Sequence, residues 1–207
     1  VGAKKAVYPT NKWERKKRRL GFYTSASFIS ESVNMERLTF VLVDADYCDY
    51  LRKSDPCVPY TMDKKSNRPF VGILLKIHGM SYYAPLSSPK AKHLNMKNQI
   101  DLLKINGGVY GVINFNNMIP IHSNSIRPIV LTVSSTDTLS DIQYKGLLSN
   151  QLTWCNANKN IIVAKAQKLY ETIKSNHARE ALAARCCHFS KDEEQLKQYC
   201  AAKGWLL

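Results

Sequence analysis

Phe70-Val71-Gly72-Ile73-Leu74-Leu75-Lys76-Ile77-His78-Gly79-Met80-Ser81-Tyr82-Tyr83-Ala84-Pro85-Leu86 is the stretch that decides the fold. Two strand-length apolar and aromatic runs, Phe70 to His78 and Met80 to Leu86, meet at Gly79, the pattern of an antiparallel hairpin. Working outward, Leu38 to Val43 supplies a strand upstream, and Asp46 to Lys53 reads as a short helix after it. Downstream, Leu102 to Ile105 and Val109 to Phe115 flank Asn106-Gly107-Gly108, a turn in which glycine supplies positive φ. Met118 to Ile121 adds one more short strand, and Pro120, which has no N–H for a ladder, assigns it to an edge.

After Asp137 the spacing of apolar residues lengthens from two to about 3.6, and helices take over. Ser140-Asp141-Ile142-Gln143 fits a capping box, opening a helix with Tyr144, Leu148, Leu152 and Cys155 on one face. A second helix is expected over Lys159 to Lys174 and a shorter one over Ala178 to Arg185. The last opens on Ser190-Lys191-Asp192-Glu193, another box, and ends near Gly204, a residue suited to a left-handed cap. The class is α+β: a small, strongly curved antiparallel sheet carrying helices, mainly C-terminal.

The chain of 207 residues is sized for one domain. Its 30 Lys plus Arg against 16 Asp plus Glu leave +14, a balance that selects polyanions as partners, nucleic acid first. Acidic membrane is the competitor, but no apolar run approaches the ~18 residues of a spanning helix. Residues 1–34 hold eight basic and two acidic residues, so +8 belongs to the remainder. The expected organisation is a basic extension over 1–34, either an upstream addition or a functional arm, followed by a single domain over 35–207. Six cysteines without Cys-x-x-Cys spacing read as reduced structural thiols. With five histidines scattered as well, neither a metal nor another cofactor is expected. Val1 to Arg19 lacks the apolar core of a secretory signal, which makes the cytoplasm the expected compartment.

The chemistry concentrates after the hairpin. Ser87, Ser88, Lys90, Lys92 and His93 put two hydroxyls, two amines and an imidazole into one loop. Such donors suit a phosphate whose charge grows in a transition state. They also suit an ordinary solvated turn, since Ser, Pro and Lys are common turn residues. A serine–lysine hydrolase pair is a further reading of Ser88 and Lys90, disfavoured by the lack of a Gly-x-Ser-x-Gly elbow and by a charge that acyl chemistry does not need. An RNA-binding module without catalysis also accounts for the charge and the aromatics.

Several strings carry a family resemblance, in order, over roughly residues 38 to 200. They are Phe70-Val71-Gly72-Ile73, Tyr83-Ala84-Pro85-Leu86-Ser87-Ser88-Pro89-Lys90, Gly111-Val112-Ile113-Asn114-Phe115 with Met118-Ile119-Pro120-Ile121, and Phe189-Ser190 with Glu193-Glu194. The chain resembles the ToxN/AbiQ family, the protein toxins of type III toxin-antitoxin systems. The resemblance implies a MazF/Kid-like β-barrel core and a metal-independent endoribonuclease that uses the RNA's own 2′-hydroxyl, leaving a 2′,3′-cyclic phosphate and a 5′-hydroxyl. It also implies a partner: a small repeated antitoxin RNA, pseudoknot-like, that closes into an assembly with the protein.

Carried over residue by residue, the resemblance makes Ser88 the essential serine, with Ser87 and Lys90 beside it as catalytic residues. Arg68 falls at a basic position and Tyr47 at a tyrosine of the first short helix, both as RNA contacts. Arg68 can clamp a phosphate but not transfer a proton, because a guanidinium does not deprotonate near neutrality. Removal of the 2′-proton falls either to Lys90 with a depressed pKa or to His93, whose ordinary pKa suits the task. Lys92 and His93 extend the contact surface, and His93 reads equally as a solvated surface imidazole. Lys145 and Gln151, with Lys159, Lys165 and Lys168, would flank the RNA from the helices or else form a solvated basic face. Tyr82, Tyr83, Tyr110 and Phe115 read as base-stacking or core residues, Phe115 as core.

Overall fold

A computed structural model describes residues 37–61 and 68–207. The basic extension expected over 1–34 lies outside the described residues. Strand β1 (Thr39–Val43) leads into helix α1 (Ala45–Arg52), followed by the long hairpin of β2 (Phe70–Ile77) and β3 (Met80–Ser87). Short α2 (Ala91–Asn95) precedes four brief strands: β4 (Leu102–Lys104), β5 (Val112–Asn114), β6 (Ile119–Ile121) and β7 (Ile126–Pro128). Four helices complete the chain: α3 (Leu139–Ala157), α4 (Lys159–Lys174), α5 (Glu180–Ala183) and α6 (Phe189–Lys203).

The strands form one antiparallel sheet in the order β4-β5-β3-β2-β1-β7, with β6 also paired to β3. The sheet is open, ending at β4 and β7, which corrects the expectation of a barrel-like closure. β3 is its hub: Met80 to Tyr82 and Ala84 to Pro85 face β2, Ser81 to Tyr83 also face β6, and Leu86 and Ser87 face β5. The β2–β3 register shifts between Val71 and Leu75. There Gly72 lets the Tyr83 ring lie directly on the backbone, since a Cβ at that position would meet Tyr83 Cδ1 at 2.1 Å.

Burial of the inward face holds the layers together. On α4, Ile162, Ala166, Leu169 and Tyr170 recur at helical spacing, are buried, and pack α4 against β2. Asn156 ties α3 to the start of β1, its Oδ1 accepting from the Leu38 N–H at 2.9 Å and its Nδ2 donating to the Leu38 carbonyl at 3.1 Å. Helix α6 buries two acids among its apolar residues. Glu193 accepts from the hydroxyls of Tyr82 and Tyr170 at 2.6 Å each and from Lys174 Nζ at 2.9 Å.

Both capping boxes differ from expectation. Thr138, not Ser140, caps α3: its hydroxyl accepts from the Asp141 N–H, and the Asp141 carboxylate accepts from the Thr138 N–H. At α6, His188 and not Ser190 is the cap, it makes no side-chain cap bond, and Asp192 and Glu193 are turned into the core. Gly204 does adopt the left-handed conformation, with φ 68°. Of the expected strand Val109 to Phe115 only β5 is extended, because the positive φ of Asn106, Gly107, Gly108 and Gly111 keeps the preceding residues in a compact turn. No described helix is long and apolar enough to cross a membrane.

Candidate functional site

The hub strand ends at Ser87, and the chain leaves the sheet as Ser88-Pro89-Lys90 before turning into α2. Ser87 is half-buried, while Ser88, Lys90 and Lys92 are exposed. The loop is shaped from below by two glycines of the 105–111 turn. A Cβ on Gly111 would stand 2.1 Å from the Ser87 carbonyl oxygen and 3.1 Å from the Ser88 carbonyl carbon. One on Gly108 would stand 2.5 Å from the His93 carbonyl oxygen. Both glycines have positive φ, so the turn's backbone can lie directly against the loop and α2.

Beside the loop, the pairing Phe70↔Pro85 and the bond from Leu86 N–H to the Pro69 carbonyl extend the β2–β3 ladder. Carried one step further, that register brings Arg68 level with Ser87. Burial lowers the Arg68 pKa from its ordinary value, yet a guanidinium stays charged at any physiological pH. From β5, Asn114 Nδ2 donates to Ser87 Oγ at 2.9 Å and to the Pro85 carbonyl at 3.2 Å.

His93 is not the solvated surface imidazole that was one of its readings. It is 3% exposed, and its Nδ1 has no protein partner among the described residues. Burial lowers its pKa, and Lys92 and Lys90 push it the same way. The ring is therefore predominantly neutral near pH 7, and the charge of this segment comes from the two lysines.

Three of the expected RNA contacts are occupied elsewhere. Tyr47 is fully buried: its hydroxyl donates to the Pro120 carbonyl at 2.6 Å and its ring meets Tyr199 edge-on at 5.0 Å. Gln151 is also buried, and its Nε2 donates to the Tyr110 carbonyl at 2.6 Å. It supports the loop at one remove, by holding the turn on which Ser87 to Pro89 rests. Lys145 forms an ion pair with Asp137 at 2.6 Å and donates to the Thr132 carbonyl at 3.0 Å, closing the loop before α3. Tyr82, Tyr83 and Phe115 are buried in the core, and Tyr110 is half-buried. Asn114, Gly108 and Gly111 are residues to which sequence reasoning gave no role at this loop. Gly108 read only as part of a turn, and Gly111 and Asn114 only as part of a string that carries the resemblance.

One group of side chains has the composition of a metal site. A carboxylate oxygen from each of Asp55 and Asp192 and the Cys187 sulfur lie within 4.8 Å of one another. Asp55 accepts from the Cys57 and His188 N–H groups at 2.8 and 2.6 Å. Burial first, and Asp55 second, push the Asp192 pKa up to about 8. A proton on Asp192 near neutrality therefore keeps the two carboxylates from repelling each other as anions, and all three groups are buried. The six cysteines are unpaired, five of them buried. Burial pushes the thiols of Cys48, Cys155 and Cys186 up to about 12, so they stay protonated and unreactive.

Residues 39–197 match the family described as toxin ToxN of type III toxin-antitoxin systems. The endoribonuclease ToxN of Bacillus thuringiensis subsp. kurstaki is 32% identical over 170 residues, 80% of this chain and 86% of that protein. The endoribonuclease ToxN of Pectobacterium atrosepticum is 31% identical, over 78% of this chain and 94% of its own length. A solved structure of a type III toxin-antitoxin system, in which a non-coding RNA pseudoknot selectively inhibits the toxin, superposes with a TM-score of 0.66 at 29% identity. That match covers 79% of this chain and 98% of the other. Matched along most of its described length by that family and by these relatives, the chain belongs to the ToxN family of type III toxin-antitoxin toxins.

Proposed function

We propose that this protein is an endoribonuclease toxin that cuts RNA at the Ser87–Lys90 loop, without a metal, by attack of the RNA's own 2′-hydroxyl on the adjacent phosphate. The products are a 2′,3′-cyclic phosphate and a 5′-hydroxyl. What supports this reading is one observation: in a member of the ToxN family, Ser87, Ser88 and Lys90 follow one another where the hub strand leaves the sheet, and the β2–β3 register carried past Phe70 and Pro85 brings Arg68 level with Ser87. Ser88 donates its hydroxyl to a non-bridging phosphate oxygen, Ser87 donates beside it, and Lys90 offsets the charge that grows as the phosphorane forms. Arg68 holds the phosphate from the β2 side. The exposed Lys90 and Lys92, with the chain's excess of +14, attract the RNA.

The inhibitor is a small repeated RNA with a pseudoknot-like fold, which covers the same basic face in a closed protein–RNA assembly. We further read the sheet as a MazF/Kid-type core that stays open between β4 and β7.

The test is cleavage of RNA in EDTA, with the ends identified chemically. The native protein gives 5′-hydroxyl and cyclic phosphate ends. Ser88→Ala slows cleavage by about 10²- to 10³-fold, the scale for removing one transition-state donor, while keeping its melting temperature and most of its RNA affinity. Intact RNA with the native protein rejects catalysis in favour of RNA binding alone. Full activity in Ser88→Ala moves the site elsewhere.

A further inference from the structure

We infer that Asn114 is a positioning residue that fixes the direction in which the Ser87 hydroxyl points its proton. This rests on the reading of the Ser87–Lys90 loop as the cleavage site. The argument starts from register. β3 and β5 pair Leu86 with Ile113 and Ser87 with Val112, which brings Asn114 level with Pro85 and diagonal to Ser87 on the same face of the sheet. Diagonal neighbours across an antiparallel pair lie within reach of a side chain such as asparagine.

The chemistry follows from the second bond. One atom of the Asn114 amide lies 2.9 Å from Ser87 Oγ and 3.2 Å from the Pro85 carbonyl oxygen. A carbonyl oxygen only accepts, so that atom is the NH2 nitrogen and not the amide oxygen. Ser87 Oγ therefore receives a hydrogen bond from Asn114, and its own proton has to leave in another direction. With Asn114 donating from β5, the Ser87 proton is kept from turning toward β5 and is left available to whatever enters the loop. A phosphate oxygen needs a donor. A lone pair turned toward it would repel it. Asn114 does not touch the RNA in this scheme; it acts through Ser87.

Asn114→Asp tests the direction of that bond. The variant is nearly isosteric, but an ionised carboxylate only accepts, so the Ser87 proton turns inward and the lone pairs face the RNA. The expected result is a fall in kcat of about 10²-fold, the scale for one transition-state donor, with KM changed by less than threefold. Introduced after Ser87→Ala, the same change costs less than threefold, since there is no hydroxyl left to direct. The deficit shrinks toward acid pH as the introduced carboxyl, with an ordinary pKa of about 3.9, gains a proton that it can donate. Asn114→Ser removes the amide without adding charge, frees the Ser87 rotor, and is expected to cost about tenfold on the same scale. It serves as the test should Asn114→Asp not fold.

Native rates in the Asn114 variant that folds, with Ser88→Ala inactive, overturn the inference and leave the cleavage site standing. An Asn114→Asp loss of equal size with and without the Ser87 hydroxyl overturns it as well. Native rates in Ser87→Ala and Ser88→Ala together overturn the site itself, and the role of Asn114 with it.

Discussion

Adding one methyl group at Gly111 should inactivate the protein while leaving it folded. The new Cβ would stand 2.1 Å from the Ser87 carbonyl oxygen. An ordinary carbon–oxygen contact is about 3.3 Å, so the two backbones must part by about 1 Å. Neither side yields cheaply, because Ser87 and Val112 are paired in the ladder and the contact is backbone, with no side chain to rotate away. The stability cost combines an alanine at φ +95°, about 1–2 kcal/mol, with local overpacking of about 1–3 kcal/mol. A total of about 2–5 kcal/mol is within the stability of many domains of this size. A 1 Å displacement of catalytic groups costs about 10²-fold in rate. The control is Gly107→Ala in the same turn. There φ is +66° and nothing lies within 4 Å of the added Cβ, so only the backbone cost of about 1–2 kcal/mol applies. Single-turnover cleavage of a labelled RNA, read beside thermal melts, separates the two variants. If both lose the same factor in rate, or if Gly111→Ala cuts at the native rate, the turn does not shape the loop.

Asp192→Asn should flatten the pH dependence of stability. Burial and the neighbouring Asp55 push the Asp192 pKa up to about 8, whereas in the unfolded chain it is about 3.9. Between those values the folded state holds a proton that the unfolded state has released. The native protein therefore loses stability as pH rises through that window, by up to about 1.4 kcal/mol per unit. The amide donates to Asp55 at every pH, so melting temperatures of variant and native protein should diverge from pH 5 to pH 8; parallel curves would show that Asp192 is ionised throughout. Tyr47→Phe removes the donor to the buried Pro120 carbonyl and should cost about 1–2 kcal/mol with cleavage unchanged. A tenfold loss of RNA affinity at an unchanged melting temperature would instead return Tyr47 to the RNA surface.

The hairpin was legible because two strand-forming runs in Phe70 to Leu86 meet at Gly79, and α4 because its buried residues keep helical spacing. What local pattern could not carry was register. Nothing in Gly111-Val112-Ile113-Asn114 says which β3 residue each one faces, so Asn114 stood within a string that carried the resemblance but was given no role. Spacing also misled where two residues fit one rule. Thr138 and Ser140 both open a box-like string, and the choice depends on Asp141 folding back to Thr138. At α6, Glu193 satisfied the box spacing, but two tyrosine hydroxyls and Lys174 bind its carboxylate more strongly than one backbone amide does. Tyr47 was expected at the RNA from the resemblance, and Gln151 from its place on a helix that would flank the RNA. Tyr47 instead spends its hydroxyl on the buried Pro120 carbonyl, and Gln151 its amide on the half-buried Tyr110 carbonyl.

The threefold pairing of β3 bears on how such a protein is kept in check. A strand stitched to three others is among the last parts of a domain to open, since each partner must release it first. If the Ser87–Lys90 loop is the cleavage site, loosening the strand that launches it means opening much of the sheet. Restraint has to come from something laid over the loop, at a strength set by surface contact and by the concentration of the cover. It is withdrawn as soon as the cover is lost.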